Sequence, residues 1–306
     1  VRWTWATNTV ITAANRHRDP RPMKNCLFVD HLTVLDFSFL HPVRGLVGES
    51  LIMDVELYGD LDEQGMVFDF GEVKRHLRKE AEDLIDHKLA VPINLDDLQA
   101  EVNGGVTRIL LDFPDHGQLR MEAPADAVAL LETDSVSIAS LEALLNAHLA
   151  NCVPANVSRV RVRLRQEVIQ GAFYQYSHGL RKHLGNCQRI AHGHRSRLEI
   201  YADGQRSQIT EYQWAKRLRD IYIGSHADLR EEVMLNGIRH SRFEYQAAQG
   251  FFSLLLPTRM VYLIDSDSTV ELIAGHIARC LKKQRPQNSF RVKAFEGIMK
   301  GAIADI

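Results

Sequence analysis

Alternating apolar residues mark two long segments before residue 60 as strands. Residues 28–40 and 49–59 carry the pattern, and residues 41–48 join them as a loop. In the second segment the apolar positions are Leu51, Met53, Val55 and Leu57. Side chains two residues apart point to the same face of a strand. The pattern therefore predicts two strands, the second with one buried face.

The spacing of apolar residues changes to that of a helix after residue 70. They recur three or four positions apart, at Val73, Leu77, Ala81, Leu84 and Ile85. This spacing predicts an amphipathic helix that ends at Asp86 and His87. The other predicted elements of the first half are strands at 107–113, 127–132 and 157–167 and a helix at 137–150.

The same order of elements recurs in the second half. Residues 124–135, PADAVALLETDS, align without a gap with residues 257–268, PTRMVYLIDSDS. The strand that ends at Glu167 corresponds to the strand that carries Glu296, and the helices before these strands also correspond. Repeated order along the whole chain predicts an internal duplication of one mixed helix and strand unit.

The repeat divides the chain near residue 169. We expect an α+β protein with a first unit at residues 23–169 and a second unit at residues 170–306. Residues 1–22 carry several arginines, end in two prolines and are predicted to form a weakly ordered extension.

Composition narrows the class of partner. Of the 306 residues, 45% are hydrophobic and 25% charged, and the formal net charge is −2. This balance is typical of a globular protein without an electrostatic nucleic-acid footprint, so we expect a small-molecule partner. The four cysteines have no metal-finger or disulfide spacing, which favours a cytoplasmic protein. No apolar run approaches the roughly 18 residues of a membrane span, so no membrane partner is expected.

The densest group of reactive residues lies at 173–199. His192 and His194 are two apart at the start of a predicted strand, so both rings face one side. His178 supplies a third nitrogen, and Cys187 lies between them in sequence. Three protein nitrogens leave one position of a tetrahedral zinc open, as in catalytic sites. The alternative is a histidine-rich loop without metal. We interpret His183 as a loop residue.

This arrangement resembles a known family. An aromatic-flanked His178, then Cys187, then His-Gly-His opening a strand is similar to the zinc-binding part of the 6-pyruvoyl-tetrahydropterin synthase and 6-carboxy-5,6,7,8-tetrahydropterin synthase family. A second resemblance lies in the first half, where GMVFDF is followed by a helix and by Asp86 and His87.

The resemblance implies a fold and an assembly. Each unit is expected to be a tunnelling fold (T-fold), an antiparallel sheet with two helices on one face. Family subunits associate through sheet edges, which implies a homo-oligomer, and their active sites form between subunits.

The two copies differ in the residues that carry chemistry. Val47 and Glu49 stand where His192 and His194 would fall, so the first copy is not expected to hold metal. In the second copy we align IGSHAD with LIDHK, so Ser225 replaces the aspartate. The hypothesis is one composite site, with metal ligands and thiol from the second copy and the Asp-His pair from the first. Alternatively, the first copy is a degenerate scaffold and its Asp-His pair is a relic.

The resemblance implies a lyase that uses Zn2+. The expected reaction converts 7,8-dihydroneopterin triphosphate to 6-carboxy-5,6,7,8-tetrahydropterin with loss of triphosphate and acetaldehyde, as in the queuosine pathway. The alternatives are 6-pyruvoyl-tetrahydropterin synthase activity and a non-catalytic pterin-binding T-fold protein.

The resemblance also implies residue roles. Zinc would bind His178, His192 and His194, and Cys187 would be the base. His87, oriented by Asp86, would move the second proton, with His226 as the alternative. Glu296 would anchor the pterin ring.

Overall fold

The computed structural model describes residues 25–113 and 116–306. The extension predicted at residues 1–22 lies outside the described residues. The fold is α+β, with two sheets that each carry a pair of helices and a third sheet built from strands of both halves.

The first half follows the predicted order with longer strands. Its strands are β1 (Asn25–His41), β2 (Gly45–Gly59), β3 (Leu89–Pro92), β4 (Leu98–Asn103), β5 (Val106–Phe113), β6 (Gly117–Pro124), β7 (Val128–Leu131) and β8 (Val157–Gln166). Its helices are α1 (Phe70–Ile85) and α2 (Ile138–Leu149). The predicted loop at 41–48 shrinks to three residues, because His41 Nδ1 accepts hydrogen bonds from the N–H groups of Val43 and Arg44 and closes a tight turn.

The second half repeats the order with two additional strands, a short one before its first helix and one at its end. Its strands are β9 (Phe173–His178), β10 (His192–Ala202), β11 (Gln205–Arg206), β12 (Ile221–Ser225), β13 (Leu229–Leu235), β14 (Ile238–Ala247), β15 (Gly250–Pro257), β16 (Val261–Ile264), β17 (Phe290–Phe295) and β18 (Gly301–Asp305). Its helices are α3 (Gln208–Arg217) and α4 (Val270–Gln284).

Two of the sheets have the same strand order. The first is β7-β3-β1-β2-β8, and the second is β16-β12-β9-β10-β17-β18 with β11 beside β10. Both sheets were expected to be antiparallel, but both are mixed. Strands β3 and β7 run parallel to β1, and β12 and β16 run parallel to β9. Between β1 and β3 the chain passes through β2 and α1, a connection long enough for parallel pairing. The third sheet, β13-β14-β15-β6-β5-β4, joins the halves.

The helices form where sequence signals place them. The Asp69 carboxylate accepts from the N–H groups of Gly71 and Glu72 and caps α1. Helix α1 ends at Ile85, with Asp86 as its C-cap, and buries the residues predicted to face the sheet, except that Leu84 is partly buried. No helix within the described residues is long and apolar enough to cross a membrane.

The hairpins β1-β2 and β9-β10 press against each other at two glycines. A Cβ on Gly48 would lie 2.0 Å from the carbonyl oxygen of Tyr176, and one on Gly193 would lie 2.8 Å from the Gly48 Cα. Beside them the hydroxyls of Ser38 and Ser177 share a hydrogen bond of 2.6 Å. Only glycine permits this approach, which brings residues of the first half to the histidines of the second.

Candidate active site

Three imidazoles converge where β9 ends and β10 begins. His178 pairs with His192 across the two strands, and His194 lies on the same face of β10 as His192. All three side chains are buried. One ring nitrogen from each lies within 4.8 Å of the others.

Each ring is fixed through its Nδ1 atom. The neighbouring oxygens are Ser268 O at 2.9 Å for His178, Arg189 O at 2.9 Å for His192 and Asp36 Oδ1 at 3.2 Å for His194. The contacts of His178 and His192 are hydrogen bonds, which select the tautomer with a proton on Nδ1 and leave the Nε2 lone pair free. His194 Nδ1 lies close to the Asp36 carboxylate but makes no hydrogen bond of standard geometry with it.

The three Nε2 atoms have no hydrogen-bond partner among the described residues. Buried polar atoms without partners are costly and rare in folded proteins. Burial, with the nearby histidines, holds the pKa values of His178 and His192 well below 6.5, so both rings are neutral. Neutral, preoriented and unpaired imidazoles fit a divalent metal.

An Asp-His pair from the first half stands beside this cluster. His87 follows α1 with a positive φ of 54°, and its Nδ1 lies 2.5 Å from Asp86 Oδ2. Asp86 Oδ1 accepts from the N–H of Asp36 at 2.8 Å, which fixes the carboxylate. The His87 ring centroid lies 5.2 Å from that of His192.

Cys187 completes the group. It lies in a short turn at Asn186–Gln188, and its carbonyl accepts from the N–H of Leu180 at 2.9 Å. Its sulfur, a nitrogen of His87 and a nitrogen of His192 lie within 4.8 Å of one another. The structure thus brings Asp86, His87, Cys187 and the three histidines together within one chain.

The environment charges His87. Burial alone would lower its pKa, but the contacts with Asp86 and Cys187 outweigh burial and raise the pKa to about 10. The ring is therefore an imidazolium at neutral pH. This finding alters the expected role of His87, because an imidazolium donates a proton before it can accept one.

A cleft of about 430 Å³ opens beside the pair. Asp36, Asp86, His87 and Lys300 line it, and its volume is within the range of small-molecule sites. A larger open groove of about 1290 Å³ lies along β4, β5 and β6 but contains none of these groups. The smaller cleft therefore reaches the Asp86–His87 side of the group, while Cys187 and the three histidines lie outside its lining.

The remaining predicted residues are placed differently from one another. Glu296 follows β17, with Oε1 4.0 Å from His194 Nε2 and a side chain that is one-quarter exposed. His226 belongs to none of the metal-ligand groups among the described residues, and its half-exposed side chain lies 3.7 Å from Asp265. His226 is therefore no substitute for His87. His183 accepts from the N–H of Gly185 and is a loop residue, as interpreted.

Sequence reasoning missed Asp36, which is 2% exposed. Its carboxylate contacts His194 and accepts from the Ser50 hydroxyl at 2.5 Å, and Lys300 Nζ lies 3.2 Å away. The sequence contained one signal for it. Asp36 is an ionisable residue among the apolar positions of a predicted strand, and such residues are rarely buried without partners.

The family comparison concerns the second half. Residues 167–305 match the family model for 6-pyruvoyl tetrahydropterin synthase. The match is confined to this part, which is less than half of the chain. No curated protein matches the chain.

Solved 6-pyruvoyltetrahydropterin synthases from two malaria parasites are also similar. A catalytic-residue mutant of the Plasmodium vivax protein is 16% identical, covers 46% of this chain and 97% of its own, and has a TM-score of 0.34. The Plasmodium falciparum protein is 15% identical with the same coverage and a TM-score of 0.33. These scores are too low to support a conclusion about the whole chain.

Proposed function

We propose that this chain is a zinc-dependent tetrahydropterin synthase with one active site built from both halves. Its reaction converts 7,8-dihydroneopterin triphosphate and one water molecule to 6-carboxy-5,6,7,8-tetrahydropterin, with loss of triphosphate and acetaldehyde. The proposal rests on one observation: three Nε2 atoms without hydrogen-bond partners among the described residues lie together with Cys187 and the Asp86–His87 pair. The family match of residues 167–305 supports the substrate class.

The proposed ligands are His178, His192 and His194. Zinc held there would act as a Lewis acid and make protons near a bound substrate oxygen easier to remove. The imidazoles are preoriented for this ion by the carbonyl and carboxylate oxygens beside their Nδ1 atoms.

Cys187 and His87 carry the proposed proton transfers. A thiolate is the form of cysteine that accepts a proton, and a neighbouring imidazolium stabilises its negative charge. Cys187 therefore removes a proton from the substrate side chain, and His87 delivers one to the opposite end of the rearranging group. Asp86 keeps His87 charged and oriented. Glu296 would accept two N–H donors from the pterin ring.

The proposed domain division is a T-fold unit at 23–169 and another at 170–306. The equal strand order of the first two sheets supports it. Strands β7, β8, β16 and β18 are the outer strands of these sheets, and their free sides suit pairing with another copy in a homo-oligomer.

The test combines metal analysis with product analysis. Purified protein supplied with zinc and 7,8-dihydroneopterin triphosphate should release triphosphate and acetaldehyde, and mass spectrometry should show 6-carboxytetrahydropterin. A 6-pyruvoyl product would replace the proposed reaction with the one for which the matching family is named. Tight pterin binding without turnover would instead identify a binding protein.

A matched pair of variants tests the metal ligands. His192→Ala should lose the zinc ion of the histidine cluster and all turnover, because a catalytic zinc keeps three protein ligands. His183→Ala, in the neighbouring loop, should keep both. Unchanged zinc content in the His192 variant would refute the ligand assignment.

A further inference from the structure

A second group of metal-ligand side chains lies between the helices of the first half. Glu80 projects from α1, His148 from the last turn of α2, and Cys152 follows α2. One donor atom from each lies within 4.8 Å of the others, and all three residues are half-buried. The group stands apart from the histidine cluster in sequence and in the fold.

The separations match a tetrahedral ion. His148 Nε2 lies 3.0 Å from Glu80 Oε2, and Cys152 Sγ lies 3.8 Å from the same oxygen. For zinc bonds of about 2.0–2.3 Å, neighbouring donor atoms of a tetrahedron lie roughly 3.3–3.7 Å apart. Both distances to the Glu80 oxygen are within a few tenths of an ångström of that range, and the nitrogen and the sulfur lie within 4.8 Å of each other.

The chemistry of the group also suits zinc. Imidazole, thiolate and carboxylate are its usual ligands, and the partial exposure of the group leaves room for a water as the fourth. Glu80 and His148 alone would make an ordinary surface ion pair. The thiol of Cys152, turned toward the same carboxylate oxygen, converts the pair into a three-ligand set.

The helices hold these side chains in place. Leu77 and Ala81 of α1 and Leu145 and Leu149 of α2 are buried in the same core, so the backbones that carry the ligands are fixed. A site on packed helices is more precise than one on loops.

We propose that Glu80, His148 and Cys152 form a second zinc site that clips α1 to α2. The site lies apart from the proposed catalytic residues, and the proposal does not depend on the proposed catalytic function. Metal that binds only the folded chain stabilises it by mass action, so the clip strengthens the core beneath the first sheet.

Cobalt reports the site directly. A Co2+ ion bound to a thiolate absorbs in the near ultraviolet, so the full chain titrated with Co2+ should show this band. To remove any contribution of Cys187, the titration is made in the Cys187→Ser protein. There, Cys152→Ser should abolish the band and lower bound metal by one ion per chain, whereas Cys280→Ser, at a half-buried cysteine of α4, should change neither.

A measurement on the unmodified chain guards against misfolded variants. Zinc should slow alkylation of Cys152 by iodoacetamide at least tenfold in peptide mapping, while Cys26, which is exposed, should react equally with and without zinc. Equal alkylation of Cys152 in both conditions, or equal metal content in the Cys152 and Cys280 variants, would overturn the proposal.

Discussion

The histidine site and the equivalent position in the first sheet have the same backbone arrangement but different side chains. In the first sheet Ser38 pairs with Leu89, and in the second Ser177 pairs with Tyr222. Because Ser38 and Ser177 occupy equivalent positions, their partners Leu89 and Tyr222 are equivalent as well. The residues two positions before these partners, His87 and Asp220, therefore also correspond. Both have positive φ, 54° and 57°, and both donate a 2.7 Å hydrogen bond to a strand carbonyl.

The counterpart site is closed by its own side chains. Asp220 accepts from Arg44 Nε at 2.9 Å and from Arg44 Nη2 at 2.5 Å, and the same guanidinium donates to Gln175 at 2.6 Å. Glu49 and Val47 occupy the positions of His194 and His192, and Glu49 accepts from the amides of Gln166 and Gln175.

The two sites differ in how their buried polar groups find partners. At the counterpart site an ion pair and amides provide partners within the chain. At the histidine site four buried nitrogens, the three Nε2 atoms and His194 Nδ1, lack hydrogen-bond partners among the described residues, although the same backbone could carry partners for them. Unpaired groups cost free energy, so their presence on one side only indicates that a ligand supplies the missing contacts there.

The largest expected effect comes from the thiol. Cys187→Ala should lower kcat by about 1,000-fold, because general acid–base catalysis contributes roughly 100- to 10,000-fold. Zinc content should stay the same, since the three histidines are intact. Steady-state kinetics and metal analysis of the same preparation make the measurement. Cys280→Ala is the control for thiol loss and should keep kcat and zinc content. Near-normal turnover of the Cys187 variant would remove this residue from the mechanism.

Asp86→Asn should lower kcat about 100-fold and shift the pH profile. The raised pKa of His87, about 10, means that the imidazolium persists to alkaline pH in the unaltered protein. Loss of the Asp86 charge removes the largest of the influences that raise this pKa, so the proton is lost at lower pH. The alkaline limb of kcat/KM should move to lower pH. An unchanged alkaline limb would show that His87 does not supply the proton.

The variant Asp36→Asn tests the residue that lies beside His194. Asp36 lies beside His194 as Gln175 lies beside Glu49, so the charge is specific to the histidine site. Zinc affinity should fall about 10- to 100-fold, the usual effect of losing a carboxylate behind a histidine ligand. Chelator competition measures this constant. The matched variant Gln175→Ala should bind zinc normally, and an equal loss in both variants would indicate a general effect on folding.

Periodicity predicted the local elements because burial imposes it directly. Apolar spacing identified α1 and its end at Asp86, and alternation identified β2 and β8. The histidine spacing also predicted a shared face, because strand geometry alone decides it. The structure places these rings together with Cys187 and His87.

The comparison of the two copies failed where helices and turns had diverged. IGSHAD was aligned with LIDHK, which ends α1, yet α3 ends earlier, at Arg217, and residues 223–225 belong to β12. This error paired His226 with His87, whereas backbone register pairs Asp220 with it. Similarly, the counterpart of Glu296 by register is Gln166, not Glu167. Register depends on pairing between distant strands, which sequence spacing does not contain.

The smallest effect is expected at the counterpart site. Arg44→Ala leaves the Asp220 carboxylate without its guanidinium, and the free energy of unfolding should fall by about 1 kcal/mol. The loss stays small because the side chain of Arg44 is one-third exposed and water replaces part of the contact.

Urea unfolding measures the loss of unfolding free energy, and a double-mutant cycle with Asp220→Ala isolates the contribution of the pair. Zinc content and kcat should not change, since the ion pair replaces the catalytic groups on this side. Loss of activity in a folded Arg44 variant would mean that both sites contribute to function, contrary to a single composite site.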